Sequence, residues 1–251
     1  MKKVVLVFIV LLSYSLSSLA QKQDLKQANS LYLSAHYVES IAAYEKLLQG
    51  GVESAALYYN LGNAYYRTGK IAASILNYER ALKLDPNNKD AKYNLELVNS
   101  KKVDRINSVD KLFFVQWIDS LRDMSNSNSW AIKSIVFFIF FILLSTVFLF
   151  AKYVWLRKTA FFSAIFLVCV AVVCFVFSYQ QKERIVNVKE AIVFSQTVSL
   201  KSSPDDSGTD LFFLHEGTKV IIKSELGKWF EVQTEDGTNV GWLQTNTIVK
   251  I

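Results

Sequence analysis

Cysteine, histidine and proline occur only twice each in these 251 residues. Cys169 and Cys174 share one apolar run and stand five positions apart. That spacing puts them on different faces of one helix, so they cannot pair within it. No cysteine remains to staple the rest of the chain, and no zinc spacing is present. A Cys–His hydrolase needs a thiolate beside a base in a wet cleft. Both thiols lie in apolar sequence, while His36 falls in a helix turn and His215 in a hairpin. A phosphate-cradling Gly-rich loop and a kinase motif are also missing. The carboxylates fall on repeat surfaces and turns, where a solvated face is expected. The chain therefore reads as a non-enzyme, with no catalytic residue, no metal and no cofactor. The two prolines are punctuation: Pro86 follows a helical segment, and Pro204 marks a turn. The formal charge of +6 is spread along the chain with no basic stripe, so no nucleic-acid partner is expected.

Long apolar runs are abundant. Ser134 to Ala151 and Thr159 to Tyr179 can each cross a hydrocarbon core of about 30 Å as a helix. Two transmembrane helices are expected, at 130–151 and 159–180, joined by the loop 152–158. That loop carries Lys152, Arg157 and Lys158, and a short basic loop is read as cytoplasmic. Both flanks then emerge on the opposite side. At the start of the chain, Lys2 and Lys3 precede the apolar run Val4 to Leu16, and Ser18-Leu19-Ala20 offers small residues before Gln21. Residues 1–20 resemble a bacterial secretory signal peptide. An uncleaved anchor is the rival reading and gives the same topology. The expectation is a multi-pass protein of the bacterial inner membrane, with its modules in the periplasm.

The first flank carries an internal period. Residues 55–88 resemble a 34-residue tetratricopeptide repeat. Tyr58, Leu61, Gly62, Tyr65, Gly69, Ser74, Tyr78 and Ala81 stand at the repeat's offsets, before Asp85-Pro86. Gly62, Ser74 and Ala81 are small where two antiparallel helices cross. One period earlier, Ala28, Tyr37 and Tyr44-Glu45-Lys46 align with Gly62, Ile71 and Tyr78-Glu79-Arg80. Ala91 to Lys102 reads as a terminal capping helix, so the array is expected over 21–108. Such arrays bind extended peptides or partner helices in a groove lined by their first helices. The resemblance implies a groove of Leu25, Asn29, Tyr32, Tyr59, Asn63, Tyr66, Arg67 and Tyr93. A solvated face is the alternative for these residues. The two-carboxylate clamp of chaperone-binding relatives is not carried over: Leu25, Asp90 and Asn94 occupy its basic positions.

A juxtamembrane linker is expected at 109–129. Leu112, Phe113, Val115, Trp117, Ile118 and Leu121 alternate with charges at helical spacing, which predicts a short amphipathic helix. It either lies on the bilayer surface, which Trp117 and then Trp130 suit, or packs back on the repeats. Beyond the second span the pattern changes to short alternating runs separated by turn residues, the mark of a small all-β domain over 185–251. Leu214-His215-Glu216-Gly217-Thr218, Lys228-Trp229-Phe230-Glu231-Val232 and Gly241-Trp242-Leu243 resemble bacterial SH3 domains, which implies an SH3-like small β-barrel. Trp229 and Trp242 are its candidate aromatic contacts, with barrel core or rim as the alternative.

The complete order is signal, tetratricopeptide array, transmembrane α-hairpin and SH3-like barrel: a multidomain membrane protein. With the ALYYNLGNAYYRTGK repeat, the FFVQW segment and the terminal GW signature, it resembles BatE-type proteins of the Bat aerotolerance operons. That resemblance implies protein partners: von Willebrand factor A-domain membrane proteins of the same operon and a MoxR-type ATPase complex. It also implies a link to aerotolerance or envelope stress. The leading expectation is a non-catalytic scaffold or adaptor in membrane lipid. The second is a cell-wall sensor or anchor that binds peptidoglycan through the SH3-like domain.

Overall fold

The computed structural model describes residues 22–105, 112–187 and 189–251. The signal segment 1–20 and the linker positions 109–111 lie outside these residues. The chain divides into two compact units. One holds the N-terminal helices and the C-terminal sheet. The other holds the juxtamembrane helix and the two apolar helices.

The first unit begins with five helices. They are α1 (22–33), α2 (Tyr37–Gln49), α3 (Ala55–Arg67), α4 (Ile71–Leu84) and α5 (Lys89–Asn99). Local chemistry sets their ends. Ser54 Oγ accepts from Leu57 N at 3.1 Å to start α3, and Asn88 Oδ1 accepts from Ala91 N at 2.9 Å to start α5. Gly69, at φ 76°, closes α3, and Ala35, at φ 61°, closes α1 one period earlier. Ser74 Oγ donates to Gly62 O at 2.9 Å where α3 crosses α4. A Cβ on Gly62 would meet the Tyr78 ring at 2.8 Å, so only glycine lets the helices approach this closely. Ala28, Tyr44, Leu57, Leu61 and Ala64 fill a core shared by α1, α2 and α3.

The C-terminal strands are β1 (Glu190–Val193), β2 (Thr197–Lys201), β3 (Asp210–His215), β4 (Lys219–Leu226), β5 (Trp229–Thr234), β6 (Val240–Gln244) and β7 (Ile248–Lys250). All pairings are antiparallel, in the order β3-β2-β6-β5-β4-β1-β7. Alternation places Phe230, Val232 and Leu243 in the core with Leu200, Leu214 and Val220. The expected barrel is seen as a seven-stranded sheet with β3 and β7 at its ends. No pairing between those two strands closes it among the described residues.

The helices and the sheet share a core within this unit. Ile192 and Ile251 from the sheet pack with Ala72, Ile75, Leu76 and Val98 from the helices. Polar contacts frame the apolar seam. Glu216 Oε1 accepts from Ala72 N at 3.2 Å, satisfying an orphan amide in the first turn of α4. Arg80 and Lys83 donate to the carbonyls of Lys250 and Ile251, at 2.9 and 2.8 Å. Lys219 Nζ lies 3.1 Å from both Glu79 and Glu190. Burial works against its charge, but the carboxylates of Glu79, Glu190 and Glu235 outweigh it and hold its pKa above the usual lysine value. Asp104, beyond α5, accepts from His215 N and Thr218 Oγ1, both at 2.7 Å.

The second unit contains α6 (Phe113–Arg122), α7 (Ser127–Phe150) and α8 (Val154–Val186). The last two are long and apolar enough to cross a membrane. The most apolar window of α7 is 0% buried and that of α8 22%. The two helices run antiparallel. Ser127 Oγ donates to Ser178 O and Ser134 Oγ to Ala171 O, each at 2.9 Å, and the rings of Phe148 and Phe161 lie 5.5 Å apart. Ala160, Ala164, Ala171 and Cys174 are the small buried residues of α8. The basic segment expected as a loop over 152–158 is already helical from Val154.

Candidate partner-binding cleft

The helical array forms a cleft of about 230 Å³ lined by Tyr32 of α1, Asn63, Tyr66 and Arg67 of α3, Tyr78 of α4, and Asn94, Leu97 and Val98 of α5. Four of the expected groove residues meet there: Tyr32, Asn63, Tyr66 and Arg67. Tyr59 stands beside it, its ring 6.1 Å from that of Tyr78 and its hydroxyl 3.4 Å from Asn94 Nδ2. Asn29 and Tyr93 do not line the cleft. Tyr93 is 68% exposed on α5. Leu25 packs against the core shared by α1, α2 and α3.

The two asparagines are structural struts. Asn63 Oδ1 accepts from Tyr78 OH at 2.6 Å and from Asn94 Nδ2 at 2.9 Å. Asn29 Oδ1 accepts from Tyr44 OH at 2.7 Å and from Asn60 Nδ2 at 3.0 Å. Burial pushes the Tyr44 hydroxyl up to about 12 and raises that of Tyr78 as well, so both remain donors at neutral pH. Each amide thus ties three helices at one point. Residues 55–88 match the tetratricopeptide repeat family. No curated protein matches the chain. Within the matched repeat, the asparagine that faces the cleft is held rigid by the tyrosine that fills the helix crossing.

Two cations sit at the rim of the cleft, held by its aromatic residues. Lys101 donates to Tyr66 OH at 2.7 Å, and its ammonium stands 4.6 Å from the centre of that ring. Arg67 lies over the Tyr37 ring at 5.9 Å, and Tyr37 meets Tyr32 edge-on at 5.4 Å. The hydroxyl of Tyr32 and the neighbouring Tyr37 raise the Arg67 pKa further. One signal could have exposed the struts. Asn29 and Asn63, Tyr44 and Tyr78, and Asn60 and Asn94 are three pairs with the same period as the repeat. Aromatic walls, fixed amides and two cations suit the capture of an extended polypeptide. Among the described residues no three His, Cys, Asp or Glu side chains gather as metal ligands would.

In the sheet, Glu231 pairs with Trp242 and Trp229 with Gln244. The two tryptophans are therefore diagonal neighbours on the face opposite Phe230 and Leu243. Both are half-buried.

Proposed function

We propose that the chain is a non-catalytic adaptor of the bacterial inner membrane that holds a periplasmic protein partner in its tetratricopeptide cleft. The observation that carries this reading is the shared core of Ile192 and Ile251 with Ile75 and Leu76. Segments on either side of α7 and α8 build one folded unit, so they must occupy one compartment. An even number of crossings between them is required, and two spans supply it. The basic residues between the spans, Lys152, Arg157 and Lys158, favour a cytoplasmic turn and a periplasmic folded unit.

The order of elements resembles BatE-type proteins, with the C-terminal sheet as an SH3-like domain. This supports von Willebrand factor A-domain membrane proteins and a MoxR-type ATPase complex as partners, in an aerotolerance or envelope-stress assembly. A second reading, binding of peptidoglycan through the sheet, is favoured by the adjacent placement of Trp229 and Trp242. Photocrosslinking amino acids at Tyr66 and at Trp242, in cells, separate the two. Discrete protein adducts from Tyr66 that disappear with Arg67→Glu support the adaptor. Adducts only from Trp242, recovered with sacculi, replace it with the cell-wall reading.

A further inference from the structure

A helix in water buries its apolar stripe and shows its charges to solvent. α6 leaves its aromatic residues outside and buries its arginine. Phe113 is 83% exposed, Trp117 66% and Ile118 44%, whereas Arg122 is 6% exposed. The buried guanidinium is held by Asp119 at 2.7 Å and Asp123 at 3.0 Å. Arg122 and its two carboxylates thus turn toward protein with Val115 and Leu121, while Phe113, Phe114, Trp117 and Ile118 face outward.

The C-terminal end of α6 is closed in a way that an aqueous helix does not need. Arg122 O accepts from Trp130 Nε1 at 2.7 Å and from Gln181 Nε2 at 2.8 Å. Ser125 O accepts from the same Gln181 amide at 2.8 Å. Gln181 is 3% exposed and reaches these carbonyls from α8. Helix-terminal carbonyls near lipid find no water, so they must be satisfied by side chains. Trp130 and Gln181 do this from the two apolar helices. Trp130 also stacks edge-on against Phe177 at 5.3 Å and lies under Lys133 at 4.3 Å, a pairing suited to the membrane–water boundary.

We propose that α6 is an interfacial anchor. It lies on the phospholipid surface at the α7–α8 end that carries Ser127 and Gln181, with Phe113, Phe114, Trp117 and Ile118 set into the headgroup–acyl boundary. Gln181 latches its C-terminal end at a fixed height. This rests on α7 and α8 being membrane spans, and the test reads the two claims separately.

Full-length protein carrying Cys169→Ala and Cys174→Ala is reconstituted in phosphatidylcholine–phosphatidylglycerol vesicles. Nitroxides are placed at Phe114→Cys, at Ile142→Cys in α7 and at Thr238→Cys in an exposed turn of the sheet. Collision rates with oxygen, which favours lipid, and with a water-soluble nickel chelate are measured. The expected result is oxygen-rich labels at positions 114 and 142, with nickel collision several-fold below that at position 238. Ile118→Cys should repeat the Phe114 result, and Gln181→Leu should raise nickel collision at Phe114→Cys without altering Ile142→Cys. Water-like labels on α6 beside a lipid-like Ile142→Cys overturn the anchor and leave the spans standing. A water-like Ile142→Cys overturns the spans, and the anchor with them. An unchanged Phe114→Cys signal in Gln181→Leu overturns the latch.

Discussion

Tyr78 donates its hydroxyl to Asn63 Oδ1 at 2.6 Å, locking a cleft-facing amide to the side chain that fills the α3–α4 crossing. Asn63→Ala removes the acceptor of Tyr78 OH and leaves Asn94 Nδ2 with only the Tyr59 hydroxyl, 3.4 Å away. The expected loss is about 1–3 kcal/mol. In a double-mutant cycle with Tyr78→Phe, the two losses should fail to add by about 0.5–3 kcal/mol, read from denaturant melts. Additive losses would mean the bond contributes nothing. It follows that Asn63→Ala is a poor probe of partner binding, because it loosens the array. Arg67→Ala, at an exposed position, is the cleaner one. It should weaken capture with the melting curve unchanged.

Much of this architecture is written in local pattern. The period linking Ala28 to Gly62 and Tyr44 to Tyr78 gives the repeat. The uninterrupted run from Ser134 gives α7. The alternation in Trp229-Phe230-Glu231-Val232 gives β5. β3 is less legible: Leu211, Phe212 and Phe213 are consecutive apolar residues and all exposed, so no alternation marks it. The shared core escaped for another reason. Ile75 and Ile192 look like ordinary members of two separate amphipathic elements, and their contact spans more than a hundred residues. The same holds for Asp104 and His215, which meet at a separation of 111 residues. Nothing local to either announces the other. The outward aromatic face of α6 is legible in part: Trp117 and Trp130 point to a bilayer surface, but periodicity locates an apolar face and not what it meets.

Ala35 offers a test of backbone strain. It sits at φ 61°, where Gly69 sits at φ 76° one period later. The hydrogen bonds match. Ala35 N donates to Tyr32 O and His36 N to Leu31 O, as Gly69 N does to Tyr66 O and Lys70 N to Tyr65 O. A Cβ in the left-handed region costs about 1–2 kcal/mol, partly offset by the extra freedom of glycine in the unfolded chain. Ala35→Gly should therefore stabilise the protein by up to about 1 kcal/mol, seen as a rise in melting temperature. A fall would show that the turn is unstrained.

Asp104 makes the seam between repeats and sheet sensitive to acid. Burial disfavours its charge, yet hydrogen bonds from Thr218 Oγ1 and from the backbone and ring of His215 outweigh this and lower its pKa. The Lys102 ammonium, itself depressed by burial, adds to the field. A carboxyl with a lowered folded pKa stabilises above its unfolded value of about 3.9, and the gain is lost as pH falls through the folded pKa. Asp104→Asn should cost about 1–3 kcal/mol near neutrality, with the gap to the parent protein closing below about pH 4. A gap independent of pH would remove Asp104 from the account of acid sensitivity.

The shared core makes a prediction about topology that a chain of independent modules would not. Ile75 and Ile192 are 1% and 0% exposed in one cluster, so the repeats and the sheet can fold only in the same compartment. A reporter active only in the periplasm should work when inserted at the exposed turn Gly50-Gly51. It should work equally after Ile251 through a flexible linker, which spares the bond from Lys83 to the Ile251 carbonyl. A reporter active only in the cytoplasm should be silent at both sites and should work in the turn near Lys152. Reports from opposite sides at Gly50 and Ile251 would break the shared core and the adaptor reading together. Cytoplasmic reports at both would keep the core and reverse the orientation. Adding Ile75→Asp to the Ile251 fusion separates folding from sidedness. The charge should destabilise the unit by several kcal/mol, on the order of a buried unpaired carboxylate, and lower fusion abundance without changing the side from which it reports.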